Sequence, residues 1–285
     1  MILVADSGST KCDWVLIGQD QRYKAETMGF NPFFHDADLI TSKIKENHVL
    51  DIYKEQVKEI YFYGAGCSCP ERNSVLKEAL ASHFNNLEKL IVDEDIAGAA
   101  YATCENEHGI VCILGTGSNS CNYDGVHVQK GQPALGYILG DEGSGSYFGK
   151  KLLTQFMYNK MPRELAIALQ EYGGDKLDNL MVSIYNKPNA NVFLASFMKF
   201  IFNYQEHPYF QKMIYDGMKH FAEIHVLHYE NYSTTPVYFV GSVAHYFQDV
   251  LHTVAKDLGF TIKNIVQKPI NALSEYHMTK VGNQV

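Results

Sequence analysis

Two short segments carry residue types suited to holding an anion: Asp6-Ser7-Gly8-Ser9-Thr10-Lys11 and Gly115-Thr116-Gly117-Ser118-Asn119. A phosphate needs backbone N–H groups that no Cβ obstructs, which glycine allows, and Ser or Thr hydroxyls add further donors. Asp6, at the carboxyl end of an apolar run, has the charge to hold Mg²⁺ directly or through water. Either segment alone reads equally well as a polar hairpin turn. Two of them, each after an apolar run and at equivalent places in two halves of the chain, point to a shared phosphate ligand gripped from both halves across a gap. Neither is a P-loop: GxxxxGK[ST] is absent, and no GxGxxG leads from a strand into a helix.

Moving a phosphoryl group onto a hydroxyl requires a base for the proton, positive charge near the phosphates, and positioning. In Asp93-Glu94-Asp95-Ile96-Ala97-Gly98, Asp95 falls where a strand gives way to a small-residue helix. Its carboxylate either faces a cleft from the helix amino terminus or only caps the helix. Asp93 is a rival base, because strand alternation sends both side chains to one face. In Gly140-Asp141-Glu142-Gly143-Ser144, Asp141 is placed to accept hydrogen bonds from vicinal hydroxyls of a polar substrate, or to act as an N-cap, with Glu142 a further capping candidate. Asn31, in Gly29-Phe30-Asn31-Pro32, offers a donor and an acceptor suited to a sugar hydroxyl.

The elements that must position these groups follow from hydrophobic spacing and turn residues. Strands at 2–5, 13–17 and 25–28 form a meander, followed by a helix at 37–47, a strand at 59–63, a helix at 70–84, a strand at 90–92 and a helix at 96–104. Strands separated by helices imply parallel pairing with right-handed crossovers. At Gly109 the plan restarts, with a strand at 110–114 and a hairpin of 120–123 and 126–129 around Asp124-Gly125. Helices then run from 144 to 230, before a strand at 237–240, a helix at 246–258, a strand at 261–266 and a closing helix at 270–278. The expected organisation is a first domain at 1–107, completed by a C-terminal helix at 270–285, and a second at 108–269 with a helical insertion at about 144–230. The aromatic stripe of that insertion, including Phe197, Phe200 and Phe210, reads as core, and His207, His220, His225 and His228 read as ordinary histidines that form no set with carboxylates.

A length of 285 residues suits two domains, and 46% hydrophobic with 20% charged residues are globular values. With 24 Lys and Arg against 32 acidic residues, a net charge of −8 and no basic face, nucleic acid is not an expected partner. The Met1–Ala5 start lacks a basic residue before its short apolar run, and no apolar run approaches the roughly 20 residues of a membrane helix. The expectation is therefore a cytoplasmic chain with no membrane partner. The six cysteines read as reduced free thiols, and Cys67-Ser68-Cys69 lacks the second cluster a zinc site needs.

The paired glycine segments resemble the first and second phosphate motifs of the acetate-and-sugar-kinase, heat-shock chaperone and actin superfamily. Val240-Gly241-Ser242-Val243-Ala244 is similar to its third element, a glycine turn near the adenosine, although Ser242 stands where many members have a second glycine. Together with Gly29-Phe30-Asn31-Pro32, Asp95-Ile96-Ala97-Gly98 and Gly140-Asp141-Glu142-Gly143-Ser144, they resemble the N-acetylglucosamine kinase branch of the benzoyl-CoA-reductase-activator-type ATPase family. The resemblance implies an α/β fold of two duplicated ribonuclease H-like, actin-like ATPase domains, each a mixed five-stranded sheet flanked by helices. It implies an ATP-dependent kinase acting on the 6-hydroxyl of N-acetylglucosamine or N-acetylmuramic acid, with Mg²⁺, closure around the substrates, and a homodimer. Asp95 would be the base; Asp6, Gly8, Ser9, Thr10, Lys11, Gly115, Thr116, Gly117, Gly241 and Ser242 would serve Mg·ATP; Asn31, Ser118, Asn119 and Asp141 would hold the sugar.

Two alternatives stand beside it. An ATPase activator of a radical enzyme would need a subunit-bridging iron–sulfur cluster, but the Cys-Ala-Ala-Gly-Thr-Gly type segment of such activators is absent. A nucleotide-switched scaffold would hydrolyse ATP without an acceptor. The repressor-and-glucokinase family is set aside because its Glu-x-Gly-His segment and cysteine-rich zinc motif are missing.

Overall fold

The computed structural model describes residues 1–282 and contains two compact units. One comprises Met1–Glu107, Tyr123–Val128 and the segment from Lys268 onward; the other comprises His108–Asn122 and Gln129–Gln267. Residues 283–285 of the expected closing helix lie outside the described residues.

The first unit is built on β1 (Ile2–Ser7), β2 (Lys11–Ile17), β3 (Arg22–Met28), β4 (Glu59–Gly64) and β5 (Lys89–Glu94), in the order β3-β2-β1-β4-β5. β1 and β2 pair antiparallel, as do β2 and β3, whereas β1, β4 and β5 run parallel. Residues alternate between the two faces of a strand, and here both faces are covered. Leu3, Ala5, Trp14, Leu16, Ile60 and Phe62 pack with Ile40 and Ile44 of the Ala37–Lys45 helix and Leu76 and Leu80 of the Pro70–His83 helix. Val4, Val15, Ile17, Tyr61 and Tyr63 pack on the opposite face with Ala97 of the Asp95–Thr103 helix and Leu273 of the Ile270–Gly282 helix.

The second unit carries the sheet of β6 (Gly109–Leu114), β7 (Ser118–Tyr123), β8 (Val128–Lys130), β9 (Val237–Val240) and β10 (Ile262–Val266), in the order β10-β9-β6-β7-β8. β9 pairs parallel with both β6 and β10. Its helices include Gly145–Met157 and Pro208–His225, whose Phe148, Leu152, Ile214 and Phe221 join Cys112, Leu114 and Phe239 in one core. Phe197, Phe200 and Phe210 are fully buried there, while Tyr158 and Tyr204 are exposed, so only part of the aromatic stripe is core.

Several element boundaries differ from the sequence reading, β2, β3 and β7 each starting earlier than expected, and two of the differences have a clear local reason. The strand expected at 126–129 begins at Val128, because Asp124 Oδ1 accepts the N–H groups of Val126 (2.8 Å) and His127 (2.7 Å) and keeps them in a turn. The helix expected at 246–258 is two, Ser242–Tyr246 and Gln248–Leu258, separated where buried Phe247 leaves helical geometry at φ −114°. All six cysteines are free, and all but Cys69 are buried.

Candidate active site

The parallel strands β1, β4 and β5 end at one edge of the first sheet, the edge where α/β proteins bind ligands. The sequence DSGST there must turn back at once into β2, and the antiparallel register sets Asp6 opposite Asp13. β5 stops at Glu94, and Asp95 is the first residue of the following helix. Strand alternation therefore does not extend to Asp95, which corrects the expectation that Asp93 and Asp95 share a face. Asp6 tells them apart electrostatically. Burial, then the Asp95 and Asp13 carboxylates, push Asp6 up to about 7, with Lys268 opposing, and Asp93 is not among the causes. Asp93 acts instead on Tyr63, its register partner on β4.

Two lysines accompany these carboxylates. Lys268 Nζ lies 3.3 Å from Asp13 Oδ2. Lys11, expected at the phosphates, is ion-paired with Glu26 across β2 and β3 and lies 3.5 Å from Asp13. A carboxylate raised this far, among other carboxylates, favours an added cation. No group of three or more His, Cys, Asp or Glu among the described residues is arranged to chelate a metal alone. One carboxylate with waters and phosphate oxygens is a common way to bind Mg²⁺, so Asp6 fits that ion.

The glycine turn is braced from outside. A Cβ on Gly29 would lie 2.0 Å from Gly8 O and 2.7 Å from Lys11 N, so only glycine permits the 29–32 segment to pack on the 8–11 turn. Gly8 itself has room, the nearest atom to its ideal Cβ being 3.7 Å away. The packing brings Asn31 to the turn: its Nδ2 donates to Ser9 Oγ at 3.3 Å, and its Oδ1 accepts from Phe33 N at 3.0 Å. Buried Asn31 keeps one amide proton beyond these bonds.

In the second unit, the 115–117 turn rests on the Gly145–Met157 helix. Gly145 N donates to Gly115 O (2.8 Å) and Ser146 N to Thr116 O (3.0 Å), leaving the turn's carbonyls occupied. Gly115 has open space around its Cβ position, whereas a Cβ on Gly241 (φ 119°) would lie 2.4 Å from Leu114 O. Gly241 thus sits tightly against this turn, and Ser242 is exposed at the start of the next helix. Asp141 stands at φ 57° and accepts from Ser118 N (3.2 Å) and Ser146 Oγ (3.3 Å). Burial raises it to about 6 against those bonds. Neither Asp141 nor Glu142 is the N-cap: Ser144 fills that role, accepting from Tyr147 N at 3.2 Å. Asn119 Oδ1 accepts from Ser120 N (2.9 Å), and the buried Ser118 Oγ has no hydrogen-bond partner.

The histidines also need correcting. His225 Nε2 lies 3.5 Å from Glu142 Oε2, its Nδ1 is 3.2 Å from Ser120 Oγ, and His207 lies 3.4 Å from Glu164. His225 therefore ties β7 to the loop carrying Asp141. Partners 43 residues apart, as Glu164 and His207 are, or 105, as Ser120 and His225 are, leave no local signal. Asp13 was accessible in principle, because hairpin register alone places it opposite Asp6.

Two five-stranded sheets flanked by helices, each with a glycine turn between its first two strands, define the sugar-kinase and actin-like ATPase fold. No protein-family model matches the chain. Over 99% of its length it is 38% identical to all of a candidate N-acetylglucosamine kinase from Porphyromonas gingivalis, with a TM-score of 0.90. The chain belongs to that family of carbohydrate kinases. The same fold recurs in a candidate N-acetylglucosamine kinase from Chromobacterium violaceum (15% identity, 96% of this chain and 98% of that one, TM-score 0.74). It recurs again in a glucokinase of the ROK family from Streptomyces griseus, solved with glucose and AMPPNP (13% identity, 96% and 98%, TM-score 0.60).

Proposed function

We propose that this kinase transfers the γ-phosphoryl group of ATP to the 6-hydroxyl of an N-acetylated hexosamine, N-acetylglucosamine or N-acetylmuramic acid, within the benzoyl-CoA-reductase-activator-type branch. The observation that carries the reading is the grouping in the first unit: Asp95 acts electrostatically on Asp6, while Asn31 bonds to Ser9 of the turn that follows Asp6.

Asp95 takes the proton of the acceptor hydroxyl as the new O–P bond forms and the bond to the ADP oxygen breaks, then releases it to water. Asp93, two residues earlier on the strand, is the rival base that mutation separates. Asp6 would hold Mg²⁺, whose charge neutralises the phosphate oxygens when bound. Gly8, Ser9, Thr10, Lys11, Gly115, Thr116 and Gly117 would serve the phosphates, Lys11 after yielding its pairing with Glu26. Gly241 and Ser242 would lie along the nucleoside. Asn31, Ser118, Asn119 and Asp141 orient the sugar, the orphaned Ser118 hydroxyl and the raised Asp141 each gaining a partner by doing so. A cytoplasmic homodimer completes the proposal.

ADP release measured with N-acetylglucosamine, N-acetylmuramic acid, glucosamine and glucose tests it. The expected result is turnover with an N-acetylated sugar and little without an acceptor. Acceptor-independent hydrolysis, or a preference for glucose, defeats it.

A further inference from the structure

Beside Asn31 lies a cation that forms no ion pair with a carboxylate among the described residues, its helix neighbour Glu71 acting on it only through space. Arg72, in the first turn of the Pro70–His83 helix, donates through Nη2 to the hydroxyl of Ser68, and its guanidinium carbon lies 4.1 Å from the centroid of the Phe33 ring. Its buried Nε has no hydrogen-bond partner. Hydroxyl and ring are both neutral. The lysines of the same unit's glycine turn contrast with it, since Lys11 is held by Glu26 and Asp13, and Lys268 by Asp13.

The surroundings join Arg72 to the sugar side of the site. Gly66, at φ 83°, passes so close to the 31–33 segment that a Cβ there would lie 2.4 Å from Asn31 Oδ1 and 3.0 Å from Phe33 Cδ2. Asn31 Oδ1 in turn accepts from Phe33 N. Asn31, Phe33 and Arg72 are thus consecutive contacts of one patch. Phe33 is 59% exposed, so its ring is available as a wall and is not spent on the core.

We propose that Arg72 and Phe33 form an anion subsite next to Asn31 that takes a carboxylate carried on an ether arm of the amino sugar. The inference rests on the amino-sugar reading above and deepens it by choosing between its two acceptors. N-acetylmuramic acid bears a lactyl carboxylate on its 3-oxygen, where N-acetylglucosamine has a hydroxyl. A guanidinium engages a carboxylate through paired charge-assisted hydrogen bonds, a geometry that an ammonium cannot reproduce. The Phe33 face suits the apolar methyl of the same arm.

The test compares wild type, Arg72→Gln and Arg72→Lys on N-acetylmuramic acid, its methyl ester and N-acetylglucosamine, following ADP release. In wild type, kcat/KM for the acid should exceed that for the uncharged ester by roughly tenfold or more. In Arg72→Gln, the acid-to-N-acetylglucosamine ratio of kcat/KM should fall by roughly 10- to 100-fold, chiefly through KM, and the acid should lose its advantage over the ester. Arg72→Lys should fall between. Equal use of acid and ester by wild type, or an Arg72→Gln protein that loses both sugars in proportion, overturns the subsite. Turnover of N-acetylglucosamine without N-acetylmuramic acid overturns it while leaving the kinase reading intact. Silence on all three acceptors overturns the amino-sugar reading together with the subsite.

Discussion

The two glycine turns occupy equivalent places in their sheets, yet their surroundings have diverged. The first, after β1, sits among Asp6, Asp13 and Asp95, with Lys268 and Lys11 drawn in against them. The second, after β6, lies among serines and backbone amides, its carbonyls bonded to the start of the Gly145–Met157 helix and its nearby carboxylate, Asp141, wrapped in donors. A duplicated fold can repeat the shape of an anion cradle while assigning the proton and metal chemistry to one copy. Under the proposed roles, the repulsion in the unliganded acidic copy is the cost of a place where a cation and a base would work together.

The sharpest break in that comparison is at the base. Asp95→Asn should lower kcat by at least ~10² with nucleotide and sugar binding retained, the usual cost of losing a general base. Asp93→Asn should cost far less, and steady-state kinetics with binding isotherms on both variants would reverse the assignment if the larger loss followed Asp93.

Asp6 comes next. Asp6→Asn should raise KM for Mg·ATP by ~10-fold or more, through loss of a charge-assisted contact. Because the folded carboxyl is raised to about 7, the native state binds its proton more tightly than the unfolded chain. Its contribution to stability is therefore greatest at low pH and is lost as pH climbs toward 7. Unliganded Asp6→Asn should then melt above wild type at pH 7.5, by a margin that is smaller at pH 5 and closes only as pH falls below the unfolded value of 3.8. A melting difference that is the same at both pH values counts against the repulsion.

Much of this arrangement was readable in the chain, and the exceptions share a cause. β1, β4 and β9 announce themselves as apolar runs because both faces of their sheets are covered or central. Asp6, Gly8, Asp95 and Asn31 stand at strand ends or turns, where residue type is set locally. Lys268 reaches Asp13 across 255 residues, and His225 reaches Ser120 across 105, so only tertiary packing makes those pairs. The shared-face argument for Asp93 and Asp95 failed because the chain changes from strand to helix between them. Ser144 displaced Asp141 as cap because Asp141 Oδ1 and Oδ2 accept from Ser118 N and the Ser146 hydroxyl.

Each turn also pairs an open glycine with a bracing one, which separates ligand contact from packing. Gly8→Ala and Gly115→Ala should keep wild-type melting temperatures and raise KM for ATP several-fold. Gly29→Ala and Gly241→Ala should instead destabilise the fold, by about 1–3 kcal/mol or more where a positive φ or a backbone collision is forced. Melting curves set against nucleotide titrations would blur the distinction if Gly8→Ala unfolded as readily as Gly29→Ala.

The smallest effect concerns the second turn alone. His225 is the buried link between Ser120 and Glu142, and its removal leaves polar groups without partners, at a cost of about 1–3 kcal/mol. Burial holds its pKa below the ordinary histidine value, with Glu142 pulling upward and His220 and His228 downward. The unfolded chain therefore takes up the proton first on acidification, and the stability that the neutral ring provides is present at pH 7.5 and declines as pH falls through the ordinary histidine range. Urea denaturation of wild type and His225→Gln should show a deficit in the variant at pH 7.5 that narrows by pH 5. A deficit in His225→Gln that widens toward pH 5 would mean that the charged ring, held by Glu142, is the form that joins the two loops.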